Sequence, residues 1–345
     1  MSISRVKVET SVSGLYPRSE EVVKTSRDFE RSRTDEKSLQ RSLQNDATAF
    51  VSLQILNGLT KISDGQLKWQ DPLRAVAESL AGVRIEAGLS RWFDTNTFYK
   101  KPVIVGELEV SKPETFLFDD YSAWPGLPTG IVGFDSKNSK RSISILGPYT
   151  QASLVDDQFY GSGKDLVKKF SKITAKVIGG LAKQGITHIQ INEPSLVYAY
   201  NSTLTKENLE TTVNSYSKYL SNLPVEISLH TPFGDSSEIL PVLLKIPNIR
   251  TIGIDFTQTS LDSVKDVSFR GRSLGIGYTD ARNSLIESPD WIVDFSLRAI
   301  KTLDPDCVVI IPSNDMRYLP RTHADKKVVV LGNAAKLLRK TIGEK

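Results

Sequence analysis

Residues 166–191 read LVKKFSKITAKVIGGLAKQGITHIQI, and this stretch decides the fold class. Its first part has apolar residues every three or four positions, which predicts a helix with one buried stripe. The residues of that stripe are Leu166, Phe170, Ile173, Val177 and Leu181. After Gly185, a residue type that commonly ends helices, the run Thr187–Ile191 predicts a strand. A helix that leads directly into a short buried strand is typical of α/β proteins.

Seven similar runs extend this alternation in both directions along the chain. Each ends abruptly in polar residues or glycine: Val6–Val12, Leu59–Ile62, Ser142–Leu146, Val225–Leu229, Arg250–Ile254, Leu274–Gly277 and Cys307–Ile311. Most are continuously apolar rather than alternating, as expected for parallel strands that are buried on both faces. Eight strands that alternate with helices predict an α/β fold, a (β/α)8 TIM barrel. A doubly wound open sheet is the alternative on this pattern.

One connection is longer than the others. Residues 65–141 separate the second strand from the third and contain their own strand-like runs, Val103–Val110 and Gly130–Phe134. We therefore predict a single barrel domain over residues 1–345, with an inserted helix and hairpin at 65–141.

The composition excludes several classes of protein. Cys307 is the single cysteine, so this chain forms neither an internal disulfide nor a thiolate-rich metal site by itself. The net charge of +4 is the difference between 44 basic and 40 acidic residues that are interspersed along the chain, so we expect no nucleic-acid partner. The chain has no run of 18 apolar residues and no apolar signal core. We therefore expect no membrane partner and a cytoplasmic location.

Polar side chains follow the strands at the end where a barrel carries its chemistry. The candidates for acid–base catalysis are Asp64, Glu193, His230, Asp255 and Asp280. The candidates for substrate binding at these strand ends are Arg282 and Asn314. Because Asp and Asn also cap helices and satisfy loop backbone, each residue alone has a structural alternative.

Seven short motifs make the chain resemble cobalamin-independent methionine synthase, a family that joins two homologous barrels in one long polypeptide. Four of them are Ser13–Arg18, Asp64–Gln66, Ile145–Thr150 and Ile189–Pro194. The other three are similar to the N-terminal barrel of that family: Arg91–Asn96, Thr231–Asp235 and Asp280–Asn283. The resemblance thus implies an N-terminal-like barrel, and it adds Asp94 and Asn96 to the substrate-binding candidates.

In that family the C-terminal barrel carries zinc, binds homocysteine and receives a methyl group from methyltetrahydrofolate polyglutamate. Its zinc ligands follow the fifth, sixth and eighth strands, and two of them are cysteines. Here Pro232 and Asn314 stand in the places of those cysteines, and Arg282 stands where the family has a histidine after the seventh strand. Since proline has no donor atom and asparagine is a poor zinc ligand, we expect no zinc in this chain.

The resemblance implies a methyltransferase-like protein of methionine biosynthesis that has lost its own zinc ligands. Arg18 and Lys24 match basic residues that contact the polyglutamate tail of the folate. We expect methyltetrahydrofolate polyglutamate as a ligand, no tightly bound cofactor, and a separate zinc-bearing C-terminal-like chain as partner. Whether this chain is itself an enzyme stays open.

Two other hypotheses remain. The polar strand ends could perform metal-free acid–base catalysis on a small anionic substrate, as a stand-alone enzyme. The barrel could also be a scaffold that binds no ligand.

Overall fold

The computed structural model describes residues 5–12, 14–111, 140–198 and 204–343. Its strands, in chain order, are β1 (Lys7–Thr10), β2 (Lys61–Ile62), β3 (Leu80–Arg91), β4 (Phe98–Val110), β5 (Lys140–Leu146), β6 (Asp156–Asp157), β7 (His188–Asn192), β8 (Glu226–Thr231), β9 (Ile249–Asp255), β10 (Ser273–Thr279) and β11 (Cys307–Pro312). Its α-helices are α1 (Glu20–Glu30), α2 (Glu36–Leu56), α3 (Arg74–Ala77), α4 (Pro148–Leu154), α5 (Gly163–Lys183), α6 (Lys206–Tyr219), α7 (Leu240–Leu243), α8 (Pro289–Leu303) and α9 (Arg321–Ile342).

Eight parallel strands form one sheet in the order β1-β11-β10-β9-β8-β7-β5-β2. The two ends of this sheet meet, because Ser11 forms a parallel bridge with Lys61, and the Thr60 amide donates to the Thr10 carbonyl at 3.0 Å. The sheet is therefore a closed barrel, and the predicted (β/α)8 fold is confirmed over the open-sheet alternative. All eight predicted strands are present.

Helix α5 shows how the sequence pattern becomes packing. Ser162 caps its first turn by accepting a hydrogen bond from the Asp165 amide, and the five stripe residues predicted from the sequence are all buried. Continuously buried strands such as β11 complete the core. This strand packs against α9, and its residues Cys307, Val309 and Ile311 form a second buried cluster.

The connection between β2 and β5 contains the predicted helix and hairpin. Helix α3 leads into β3, which pairs antiparallel with β4 from Leu80↔Val110 to Arg91↔Phe98. The predicted run Gly130–Phe134 lies outside the described residues. The exact limits of the domain and of the insertion stay predictions, although β5 begins at Lys140, just inside the predicted insertion.

The end of the barrel opposite the mouth is filled by charged groups that neutralise one another. Lys61, which is 1% exposed, lies 3.0 Å from Glu9 and 3.1 Å from Glu226. Nearby, both ring nitrogens of His188 lie 2.7 Å from serine hydroxyls, those of Ser142 and Ser228. Burial lowers the pKa of His188, so this ring is neutral and structural. In the described part of the chain, no helix is long and apolar enough to cross a membrane.

Candidate ligand site at the barrel mouth

The tip of the β3–β4 hairpin, residues 92–97, turns over the carboxyl ends of the strands. The Trp92 amide donates to the Thr97 carbonyl at 2.9 Å, and the Thr95 hydroxyl donates to the Trp92 carbonyl at 2.6 Å. Phe93 has a φ of 47°, a left-handed conformation that costs a bulky residue about 1 kcal/mol or more. Its ring stacks on that of Phe233 after β8, with centroids 5.3 Å apart, and this contact holds the strained residue in place.

The aromatic rings of the tip close the barrel axis. Trp92 is 2% exposed, and Tyr198 packs edge-on against Phe93 at 4.9 Å. A cavity of about 20 Å³ remains beneath them, lined by side chains that include Pro232 and Asn314. This is scarcely room for one water molecule, so the centre of the mouth does not hold a substrate in this conformation.

His230 and Asp255 are buried at the ends of β8 and β9 and line neither of the two mouth cavities. Burial lowers the pKa of His230 to about 3, so the ring is neutral, and it lies so close to Gly253 that a Cβ there would sit 2.5 Å from it. Burial raises the pKa of Asp255 to about 6, although the carboxylate accepts hydrogen bonds from the Phe233 amide and from Thr257.

Glu193 is fully buried directly after β7, and both of its carboxylate oxygens accept hydrogen bonds. Its two oxygens accept hydrogen bonds from the amides of Tyr149 and Thr150 at the start of α4, and from the hydroxyl of Tyr216 at 2.8 Å. Burial raises the pKa of Glu193, and these donors oppose that rise. The arrangement favours a positioning role, in which Glu193 holds α4 against α6.

Two more predicted residues are buried near the strand ends. Asp64 accepts a hydrogen bond from the Gln66 amide and so shapes the turn after β2. Asn314 is 7% exposed, lines the small axial cavity, and its Oδ1 has no hydrogen-bond donor among the described residues.

A larger cavity lies off the axis, between the hairpin tip and the loops that follow β10 and β11. We call it the tip cavity. It has a volume of about 670 Å³ and is lined by Asp94, Thr95, Asn96, Thr97, Asp280, Arg282, Asn283, Ser284, Arg317 and Tyr318. Four of the eleven predicted site residues therefore come together here: Asp94, Asn96, Asp280 and Arg282.

Arg18 and Lys24 lie apart from these groups, at the start of the chain. Arg18 donates hydrogen bonds to the carbonyls of Leu67 and Trp69, so it fixes the segment after β2. Burial lowers the pKa of Arg18 from its ordinary value. Lys24 is exposed on α1. The roles assigned to all eleven residues stay predictions.

Sequence reasoning missed Arg317 and Tyr318, which line the tip cavity. They lie three and four residues beyond Asn314, within the same loop, so a wider search after the eighth strand would have included them. It also missed the buried pair Glu287 and Lys327, which supports this loop region and gives no local sequence signal.

The fold and this mouth define a TIM-barrel protein with a polar cavity among the loops at the carboxyl ends of its strands. A family model described as the N-terminal domain of cobalamin-independent synthase matches residues 83–300. The chain belongs to this family, which confirms the resemblance that the motifs indicated.

Curated relatives support this assignment over almost the whole chain. A methionine synthase from Sulfurisphaera tokodaii is 25% identical over 336 residues, which cover 97% of this chain and 94% of the relative. One from Saccharolobus solfataricus is 23% identical over 338 residues, with coverage of 97% and 96%.

Solved structures share the fold. A B12-independent methionine synthase from Shewanella sp. W3-18-1, solved with selenomethionine, superposes with a TM-score of 0.76 at 18% identity, and the match covers 97% of this chain and 99% of that one. A methyltransferase from Methanosarcina mazei superposes with a TM-score of 0.59 at 13% identity, covering 97% and 96%.

The side chains after β8, β9 and β11 do not fit the zinc that catalytic barrels of the family carry. Pro232 offers no donor atom, Asn314 offers an amide, and the oxygens of Asp255 already accept three hydrogen bonds. Across the described ranges, no three His, Cys, Asp or Glu side chains are grouped so that they could hold a metal ion.

Proposed function

We propose that this chain supports methyl transfer to homocysteine in methionine biosynthesis, as a zinc-free barrel that works beside a separate zinc-bearing barrel. The observation that carries this proposal is the pair Pro232 and Asn314, which stand where the catalytic barrel has thiolates. Activation of homocysteine requires a thiolate, and a zinc site of soft ligands stabilises it. The partner barrel would supply that site.

The lengths of the relatives are consistent with a barrel that exists as its own chain. The methionine synthases from Sulfurisphaera and Saccharolobus align over 94% and 96% of their own lengths, so they too have the length of one barrel. The name of these relatives supports a role of this chain in methionine synthesis. Pro232 and Asn314, at the places of the zinc-binding cysteines, argue that the chain does not act alone.

We further propose that this chain contacts the polyglutamate tail of methyltetrahydrofolate through Lys24 of α1. Lys24 is exposed there, and charge-assisted contacts to carboxylates suit a lysine in that position. Arg18 donates to two main-chain carbonyls, those of Leu67 and Trp69, so its main contribution is to fix the segment after β2.

The test is reconstitution of methyl transfer with the zinc-bearing barrel from the same organism. Methionine formation from homocysteine and methyltetrahydrofolate triglutamate should require both chains. If the zinc-bearing chain alone gives the same rate, or if this chain alone forms methionine, the proposal is wrong.

A substitution separates the folate contact from general effects on the complex. Lys24→Glu should raise the KM for the triglutamate about tenfold, as expected for a lost ion pair that becomes repulsive, and should leave the KM for the monoglutamate unchanged. Lys37→Glu, at an exposed position on α2, is the matched control. Equal effects of both substitutions would contradict the contact.

The tip cavity favours a second candidate, a stand-alone metal-free enzyme that acts on a small anionic substrate. Two guanidinium groups, those of Arg282 and Arg317, line this cavity together with the carboxylate of Asp280. Turnover of such a substrate by this chain alone, unaffected by a chelator, would favour it over the accessory role.

A further inference from the structure

We propose that residues 89–100, the outer part of the β3–β4 hairpin, are a hinged flap that opens to expose the barrel axis. We call this segment the flap. In the closed position, which the structure shows, the flap leaves a cavity of only about 20 Å³ at the axis. The motion concerns access to the axis, so it depends on neither the accessory role nor the stand-alone activity proposed above.

The pairing of β3 with β4 is interrupted where the flap begins. The inner part of the hairpin pairs regularly as far as Ile85↔Pro102, and the outer part resumes at Leu89↔Lys100. Residues 86–88 of β3 stand between these two pairs, where β4 has a single residue. Such an irregularity breaks the hydrogen-bond ladder locally and lets the ribbon bend, so it can serve as the hinge of the flap.

The two parts of the hairpin differ in burial. Val103, Ile104 and Leu108 of the inner part are fully buried, whereas Leu89 and Phe98 of the flap are 67% and 53% exposed. The inner part is therefore anchored in the core, while one face of the flap is already in water. Segments with few buried apolar contacts are those that open locally without unfolding of the whole domain.

The tip of the flap holds its shape through hydrogen bonds of its own. The Trp92 amide donates to the Thr97 carbonyl at 2.9 Å, and the Thr95 amide donates to the Trp92 carbonyl at 3.2 Å. Nε of Arg91 donates to the Thr95 carbonyl at 2.7 Å. Because both partners of each bond belong to the flap, these bonds persist when the flap lifts as a unit.

The closed position leaves polar groups without partners beneath the flap. Nε1 of Trp92, Nε and Nη2 of Arg317 and the hydroxyl of Tyr318 are buried and make no hydrogen bond within the described ranges. The same is true of Oδ1 in Asn314 and in Asp315. A buried polar group without a hydrogen bond is unfavourable, and opening of the flap would return these groups to water.

Aromatic packing holds the flap closed against this tendency. The ring of Trp92 is 2% exposed and lies 4.8 Å from the guanidinium of Arg317, and the ring of Phe93 stacks on that of Phe233. The left-handed backbone of Phe93, with a φ of 47°, opposes closure. Since ring burial is opposed by unpaired polar groups and by backbone strain, the closed and open positions are close in free energy.

Opening would turn the small axial cavity into an accessible site. Trp92 is the flap residue that lines this cavity, and the other lining residues include Asn192, Pro232 and Asn314 at the ends of barrel strands. A ligand can bind at the axis only in the open position. Its apparent affinity is therefore proportional to the fraction of molecules in which the flap is open.

The experiment measures opening in the full chain by alkylation of cysteines with iodoacetamide, followed by peptide mass spectrometry. Asn314→Cys and Ser144→Cys, made separately, place a thiol on the wall of the axial cavity. The native Cys307 is buried at the start of β11, away from that cavity, and reports global unfolding in the same molecule. Ser284→Cys, at an exposed position, reports the rate of an unprotected thiol.

Each cavity cysteine should react about 100-fold or more faster than Cys307 and about tenfold or more slower than Ser284→Cys, after correction for its rate in the unfolded chain. The two cavity cysteines should react at similar rates, because one motion exposes both. Their rates should depend weakly on urea, since a local opening exposes little surface. Reaction at the rate of Cys307 with the same urea dependence, or at the rate of Ser284→Cys, would overturn the proposal.

A substitution in the flap tests what keeps it closed. Trp92→Ala, combined with Ser144→Cys, should speed alkylation of the cavity cysteine about tenfold or more, because it removes the ring that covers the axis. Phe98→Ala, which removes an exposed ring of the same flap, is the matched control and should change that rate less than about twofold. Equal acceleration at Cys307 in Trp92→Ala would indicate general destabilisation and would contradict the flap.

Discussion

Lys327 of α9 donates hydrogen bonds to both carboxylate oxygens of Glu287, at 2.8 Å and 2.7 Å, and to the Leu285 carbonyl at 2.5 Å. Lys327 is fully buried, and Glu287 is 8% exposed. Because Glu287 also accepts the Asp280 amide, this pair ties helix α9 to the loop between β10 and α8. That loop carries Arg282, so a contact outside the mouth positions a cavity residue.

Lys327→Met should lower the free energy of unfolding by about 3–5 kcal/mol, because it leaves the buried carboxylate of Glu287 without its cation. Denaturant unfolding measures this loss. Lys326→Met, at the exposed neighbouring position, is the control and should change stability by less than about 0.5 kcal/mol. Adding Glu287→Gln to Lys327→Met should recover part of the loss, and no recovery would contradict this account of the pair.

Phe93→Ala should open the barrel axis, because the ring that stacks on Phe233 is removed from above Trp92. The expected result is stronger acrylamide quenching of tryptophan fluorescence, with a loss of about 1–3 kcal/mol in stability for a partly buried aromatic ring. Phe98→Ala removes a ring that is 53% exposed on the same hairpin and should not change quenching. Unchanged quenching in Phe93→Ala would show that the tip does not seal the axis.

The stability of the protein should fall in acid because of His230. Its pKa is about 3 in the fold against an ordinary 6.5, so below pH 6.5 the unfolded chain binds the proton more readily. The contribution of neutral His230 to the free energy of unfolding is complete above pH 6.5. It is lost as the pH falls, by about 1.4 kcal/mol per pH unit. His230→Asn should therefore gain about 2 kcal/mol relative to the wild type between pH 7.5 and pH 5. Parallel stability–pH curves for the two proteins would refute the assignment.

Asp255 should change the pH dependence of stability in the direction opposite to that of His230. Its pKa is raised by burial from 3.8 to about 6, so its ionisation destabilises the fold as the pH rises through that window, by up to about 3 kcal/mol. Asp255→Asn keeps an acceptor for the Phe233 amide and should be more stable than the wild type at pH 7, with the advantage vanishing below about pH 4. An advantage that grows toward low pH would contradict this prediction.

Much of the fold follows from local sequence. The apolar stripe of α5 repeats with the 3.6-residue period of a helix, and the β-branched run before Asn192 is continuously buried. Both features reflect hydrophobic patterns that are only a few residues long. Parallel strands end at one face, so the predicted strand-end residues had to lie near one mouth. Of these residues, the structure brings Asp280 and Arg282 together in the tip cavity, with Asp94 and Asn96, which the family resemblance had added.

Sequence alone determined the eight-stranded barrel and its family, and the resemblance predicts that Pro232 and Asn314 stand in the places of the family's zinc-binding cysteines. The tertiary structure decided which polar groups are already satisfied and which remain available. The carboxylate of Glu193 accepts hydrogen bonds from α4 and α6. Arg317 is buried, and its Nε and Nη2 have no hydrogen-bond partner among the described residues. No local pattern distinguishes this residue from a surface arginine. The physical reason is that burial and hydrogen bonding of a side chain depend on residues far away along the chain, while the periodicity that sets a helix or a strand depends on neighbours.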